Sequence, residues 1–158
     1  MSRVLDNALL GLAAGAAGTT ALDAATYLDM AIRGRPSSST PEDSVKRISA
    51  ATGVRVPGEG GKQGNRVAGI GPLLGILAGV ASGAAVGVAR GAGLVSGRVA
   101  TAAAATVVAM VAGNLPMTVA GVTDPRTWSA SDWLADLLPH LAFGSVVALV
   151  LDETDRAP

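Results

Sequence analysis

The chain has 158 residues, no net charge and no cysteine; 49% of its residues are hydrophobic and only 15% are charged. Soluble proteins average about 25% charged residues, so this composition would leave a soluble surface poorly hydrated. No charged residue occurs from Val67 to Ala89 or from Val99 to Thr123, and each interval is longer than the roughly 20 residues that a helix needs to cross a bilayer. The composition therefore excludes an ordinary soluble enzyme. Zero net charge also argues against a nucleic-acid partner.

The sequence predicts an all-α, polytopic membrane protein, with residues 1–158 forming one membrane domain. Four transmembrane helices are expected, at about residues 7–32, 67–89, 99–121 and 133–151. The first is the least regular, because Asp23 interrupts it. Its stretch Ala8–Gly18 also fits the apolar part of a cleaved signal peptide, but Asp6 before it and apolar residues after Asp23 favour a retained helix.

A polar loop, residues 33–66, separates the first two spans. Its sequence Thr40-Pro41-Glu42-Asp43 is typical of a helix start, with Thr40 as N-cap, and predicts a short amphipathic helix to about Ala51. Val45, Ile48 and Ala51 would form a narrow apolar stripe that either rests on the membrane surface or belongs to a solvated helix. The remainder, Val54–Arg66, is expected to be a loop.

The distribution of Lys and Arg predicts the orientation. Residues 33–66 carry seven of these cations, far more than any other loop, so the positive-inside rule places this segment in the cytoplasm. Both termini would then lie outside, in agreement with the acidic residues Asp152, Glu153 and Asp155 near the C-terminus.

A row of glycines recurs every four residues through the second span. Small residues let membrane helices approach closely, and van der Waals contact then holds them together. A four-residue step drifts about 40° around a helix, so a long row either meets a steeply crossing partner or serves two neighbours. Gly11 and Gly15 of the first span, with Gly18 nearby, offer a matching surface; a homo-oligomer or larger membrane complex is the alternative. The row consists of Gly71, Gly75, Gly79, Gly83, Gly87 and Gly91.

Polar residues collect toward one side of the membrane, because the ends of the first and third spans and the start of the fourth share that side. Ionisable residues within hydrocarbon are expensive and suggest a site. Asp23 and His140 would both lie at a depth of about 13 Å, given 1.5 Å per helical residue. The candidate intramembrane polar site comprises Asp23, Tyr27, Asn114, Asp136 and His140.

Two prolines would loosen the backbone beside this site. Pro116 and Pro139 each remove a helical hydrogen bond and leave a carbonyl that needs another partner. Asp23 and His140 could then form a proton-exchanging or cation-binding pair, or they could simply lock the helices together. Asp132 is expected to cap the start of the fourth span.

Motifs for familiar chemistry do not occur. The stretch Gly58–Gln63 lacks the first glycine and the final Ser/Thr of a phosphate-binding loop, and no strand precedes it. One histidine with scattered carboxylates is too little for a metal site. We therefore expect no enzymatic activity, no cofactor and no metal.

Four short stretches of the first third, at residues 18–23, 27–30, 33–36 and 39–42, resemble those of small four-span integral membrane proteins of actinobacteria that have no established activity. The resemblance covers about a third of the chain and the four-span plan; it implies a bacterial plasma-membrane protein and no particular chemistry. The stretches are Gly18-Thr19-Thr20-Ala21-Leu22-Asp23, Tyr27-Leu28-Asp29-Met30, Arg33-Gly34-Arg35-Pro36 and Ser39-Thr40-Pro41-Glu42.

The function expected from the sequence is that of a structural or accessory component of a membrane assembly, built by glycine packing within the lipid bilayer. The alternative is a small proton- or cation-linked transporter or channel with a one-sided polar pocket. A monomer with polar groups in only one half of the bilayer lacks a route across it, which favours the first function.

Overall fold

The structure, a computed structural model, describes residues 3–156, and this part of the chain is all-helical. Four helices are long and apolar enough to cross a membrane, which confirms the predicted fold class. A short helix lies in the polar loop, and one turn of 3₁₀ helix, Pro125–Thr127, precedes the last long helix. The helices are α1 (Arg3–Arg33), α2 (Thr40–Thr52), α3 (Gly60–Gly91), α4 (Arg98–Val119) and α5 (Ala130–Arg156).

The four long helices form a closed ring in the order α1, α3, α4, α5. Helix α1 packs against α3 and α5, and α4 packs against α5 and less extensively against α3. Most outward-facing positions carry exposed apolar residues such as Leu9, Leu77 and Leu138, which suit contact with lipid. The core of the ring consists of Ala14, Val86, Ala105, Ala109, Phe143, Val147 and Leu151.

Helix α3 begins earlier than the sequence predicts, because residues 60–66 are helical and not part of a loop. The preceding linker folds back onto its first turns. The Gln63 side chain donates to the carbonyl of Val56 (2.9 Å), and the Arg66 guanidinium donates to that of Pro57 (2.7 Å). Gly58 supplies the turn with φ +95°, in the left-handed region that favours glycine. Pro72 therefore lies inside the helix.

Helix α2 lies against α3 near the start of the charge-free interval. Its N-cap is Ser39, one residue before the expected Thr40. Of the predicted apolar stripe, Val45 is buried, whereas Ile48 is 42% exposed. A side chain at Gly71 of α3 would meet Pro41, so α2 is seated on α3 through its first turn.

The start of α5 is fixed by reciprocal hydrogen bonds. The backbone N–H and hydroxyl of Ser129 donate to the Asp132 carboxylate (2.9 and 2.6 Å), and the Asp132 N–H lies 3.3 Å from the Ser129 hydroxyl. Asp132 therefore belongs to a capping box in which Ser129 precedes the helix. Trp128 and Trp133 stack edge to face beside it, with ring centroids 5.0 Å apart.

Candidate functional site

Three of the five predicted site residues meet between α4 and α5. The Asn114 amide donates to the Asp136 carboxylate (2.9 Å), and His140 Nδ1 lies 2.7 Å from the Asp136 carbonyl oxygen and 3.6 Å from its carboxylate. The side chains of His140 and Asp136 are only 13% and 18% exposed. A carbonyl oxygen can only accept, so Nδ1 carries a hydrogen and Nε2 of a neutral ring is the free acceptor.

The two prolines shape the helices around this cluster. Pro139, which is buried inside α5, cannot donate to the carbonyl of Ala135, and Pro116 cannot donate to that of Ala112. One turn along, the Thr106 hydroxyl lies 3.3 Å from the His140 carbonyl oxygen and thereby joins α4 to α5. The cluster thus lies beside two interruptions of the helical hydrogen bonding, and hydrogen bonds between α4 and α5 hold it in place.

The cluster lines a cavity of about 470 Å³ between α1, α4 and α5. Leu22 and Thr26 form the α1 wall, and Arg35 of the connecting segment lies at the same cavity. Arg35 also donates to Asp29, which forms an ion pair with Arg33 one helical turn away. The cavity therefore combines an acidic carboxylate, an imidazole acceptor and a guanidinium at one side of the membrane.

The structure does not bring Asp23 or Tyr27 into this cluster. Leu22 and Thr26 face the cavity, and the next residue on a helix points about 100° away. Tyr27 is 64% exposed, and within residues 3–156 no hydrogen bond or ion pair joins Asp23 to His140. The His140 side chain contacts Asp136, one turn away on α5.

The glycine row lies mainly at the α1–α3 contact. A Cβ at Gly83 would overlap the Gly11 carbonyl and the Gly15 backbone, and one at Gly87 would overlap the Asn7 carbonyl. A Cβ at Gly91 would come within 2.7 Å of the Val4 Cα. The backbones of α1 and α3 therefore touch directly over this length.

The other ladder glycines have different surroundings, as the drift of the row requires. Gly79 faces the Thr19 side chain of α1, and Gly71 faces α2. A Cβ at Gly75 would meet no atom within 4 Å. The row thus serves two neighbours, while Gly18 of α1 packs against Phe143 of α5 instead of the row.

An ionic network that the sequence pattern did not predict lies at the opposite end of the ring. Arg90, whose side chain is 7% exposed, donates to the Thr101 hydroxyl (2.6 Å) and lies 3.6 Å from Asp152. Arg98 lies 3.3 Å from Asp152 and 3.7 Å from Glu153. The topology alone could have suggested this network, because the end of α3, the start of α4 and the end of α5 share one side.

Comparisons with known proteins do not assign a family. No protein-family model, curated protein or solved structure matches this chain. In the described part of the chain, no group of three or more His, Cys, Asp or Glu side chains is placed to hold a metal ion.

Proposed function

We propose that this chain is a multi-pass protein of the plasma membrane that acts as a structural or accessory component of a membrane assembly. The observation that carries the proposal is the closure of the ring opposite the cavity. Phe143, Val147 and Leu151 are each at most 1% exposed, and the buried Arg90 lies beyond them against Asp152. Packed side chains and a paired guanidinium offer a solute no polar path, which supports a role other than transport.

The glycine row supports a rigid scaffold built within one chain. Direct backbone contact along α1 and α3 maximises van der Waals attraction, which is the main attraction between helices in lipid. Because Gly79, Gly83, Gly87 and Gly91 are covered by α1, a partner protein would bind other surfaces of the ring. We propose that the exposed apolar faces of the ring contact lipid and that partner.

We propose that residues 33–66 lie in the cytoplasm. Their excess of Lys and Arg supports this orientation under the positive-inside rule. The cavity containing Asp136 and His140 would then open toward the cytoplasm, since Arg35 of the same segment lines it.

Light scattering with the detergent contribution subtracted tests the accessory function. We expect the gently solubilised protein to have a mass above that of one 15.5 kDa chain, either as an oligomer or with a co-purifying protein. A strict monomer without a partner, obtained in several mild detergents, would contradict the proposal.

A small cation- or proton-linked transporter is the second candidate, because the bonded Asn114–Asp136–His140 cluster lies in a membrane cavity. In proteoliposomes, the Asp136→Asn variant would then lose flux of protons or monovalent cations. Asp23→Asn is the matched control, since Asp23 lies outside the cavity lining. Equal background leakage from wild-type and both variants would reject transport by the reconstituted chain.

A further inference from the structure

A second cleft, of about 720 Å³, lies between α2, the following linker and the first turns of α3. Glu42, Lys46 and Arg55 line it, so charges of both signs face one space. Val67, the first residue of the charge-free interval, also lines it. The cleft is therefore placed where the hydrocarbon of the membrane gives way to the polar headgroups.

Glu42, one of the residues that line the cleft, carries an unsatisfied acceptor. Its Oε2 atom is buried and has no hydrogen-bond partner. Leaving a buried polar atom unpaired is unfavourable, and such atoms in folded proteins almost always have a protein or solvent partner. A ligand in this cleft with an N–H donor would supply that partner.

Arg55 brings N–H donors that a ligand in the cleft can use. Its side chain is exposed, and within residues 3–156 it forms no hydrogen bond or ion pair, whereas Lys46 is paired with Asp43 (2.8 Å). No ion pair joins Arg55 to Glu42 in this described part, although both line the same cleft. A guanidinium has five N–H donors in a planar fork that matches phosphate oxygens.

We propose that this cleft binds the headgroup of an aminophospholipid. The ammonium group donates to Glu42 Oε2, and the phosphate accepts from Arg55, with the nearby Lys46 adding positive charge. One ligand thus satisfies both residues, which neither a simple anion nor a simple amine can do.

The surroundings favour a lipid over a soluble zwitterion. Ile48 and Val54, each next in sequence to a lining residue, are 42% and 71% exposed. Exposed apolar side chains at the level of the membrane surface can contact acyl chains, and basic segments beside a transmembrane helix attract phospholipid headgroups. Residues 33–66 are such a segment.

Native mass spectrometry of the detergent-solubilised full chain tests the proposal with three lipids that share identical acyl chains. We expect phosphatidylethanolamine to bind about tenfold more tightly than phosphatidylcholine, because a trimethylammonium group has no N–H to donate to Glu42. Phosphatidylglycerol, which has no ammonium group, should bind more weakly than phosphatidylethanolamine.

The variants separate the two contacts. Arg55→Gln should weaken phosphatidylethanolamine binding about tenfold, while Glu42→Gln should abolish its preference over phosphatidylglycerol. Arg126→Gln is the control, because Arg126 is an exposed cation of the α4–α5 loop on the same side of the membrane and is occupied by Asp124. Unchanged helical circular dichroism for all three variants would show that folding is intact.

Three outcomes would overturn the proposal. Equal binding of the three lipids, or phosphatidylethanolamine binding that is unchanged in Arg55→Gln, would show that the cleft does not recognise this headgroup. Competition by water-soluble glycerophosphoethanolamine at concentrations equal to those of the lipid would assign the cleft to a soluble zwitterion and not to a membrane lipid.

Discussion

Two glycines of the same row provide a direct test of the α1–α3 contact. A methyl group at Gly83 would overlap the Gly11 carbonyl and the Gly15 backbone, so one of the two helices must shift. A methyl group at Gly75, two helical turns away, would meet no atom within 4 Å. Both substitutions replace a glycine of the same helix by alanine, and the difference between the two variants therefore reports packing alone.

The expected magnitude follows from these contacts. Overpacking costs about 1–3 kcal/mol in well-packed cores, and the upper half of that range applies because the overlap at Gly83 is with backbone. Proteins of this size lose roughly 2–4 °C in melting temperature per kcal/mol, so Gly83→Ala should melt about 4–12 °C lower in detergent. Gly75→Ala should melt at or slightly above the wild-type temperature, since alanine favours the helix.

Thermal unfolding followed by circular dichroism in one detergent would measure both variants. If Gly83→Ala and Gly75→Ala melt at the same temperature, the backbones of α1 and α3 are not in contact at Gly83.

The remaining predictions concern the ionic network and the orientation. Arg90→Gln should destabilise the protein by about 1.5–3 kcal/mol, because the Arg90 side chain is 7% exposed and its charged hydrogen bond to Thr101 is lost, while Arg98→Gln, at a side chain that is 47% exposed, should cost less than about 1 kcal/mol; equal effects in thermal unfolding would show that the two guanidinium groups are not distinguished by burial. A cysteine at Ser38 should react with a membrane-impermeant thiol reagent only after cells are permeabilised, whereas one at Ser96 should react in intact cells; the reverse labelling pattern would refute the orientation.

The sequence could predict the number of membrane helices because the bilayer imposes a length and a lack of charge on each. Val67–Ala89 and Val99–Thr123 satisfy both conditions without interruption. Helix ends outside the bilayer are not constrained in this way. Residues 60–66 are polar and glycine-rich, so their composition predicts a loop. In the structure they are helical, and the side chains of Gln63 and Arg66 donate hydrogen bonds to the preceding linker.

Side-chain direction was harder to predict, because depth and rotation around a helix are separate quantities. Counting residues places Asp23 and His140 at similar depths, but the rotation of α1 presents Leu22 and Thr26 to the cavity. Helix rotation also distinguishes Gly75 from Gly83, which occupy equivalent positions in the sequence pattern. Gly83 faces the backbone of α1, whereas a Cβ at Gly75 would meet no atom within 4 Å. The Arg90–Asp152 contact depends on helix order in the ring, which no local pattern contains.

The order of contacts in the ring has a consequence for how the protein is made. The main partners of α1 are α3 and α5, both of which are synthesised later. A newly inserted α1 therefore waits in the bilayer with its glycine surface uncovered until α3 emerges from the ribosome. Because the α1–α3 contact consists of backbone surfaces on both helices, the two can associate before α4 and α5 exist. Biogenesis would then proceed from this antiparallel pair, with α5 closing the ring last.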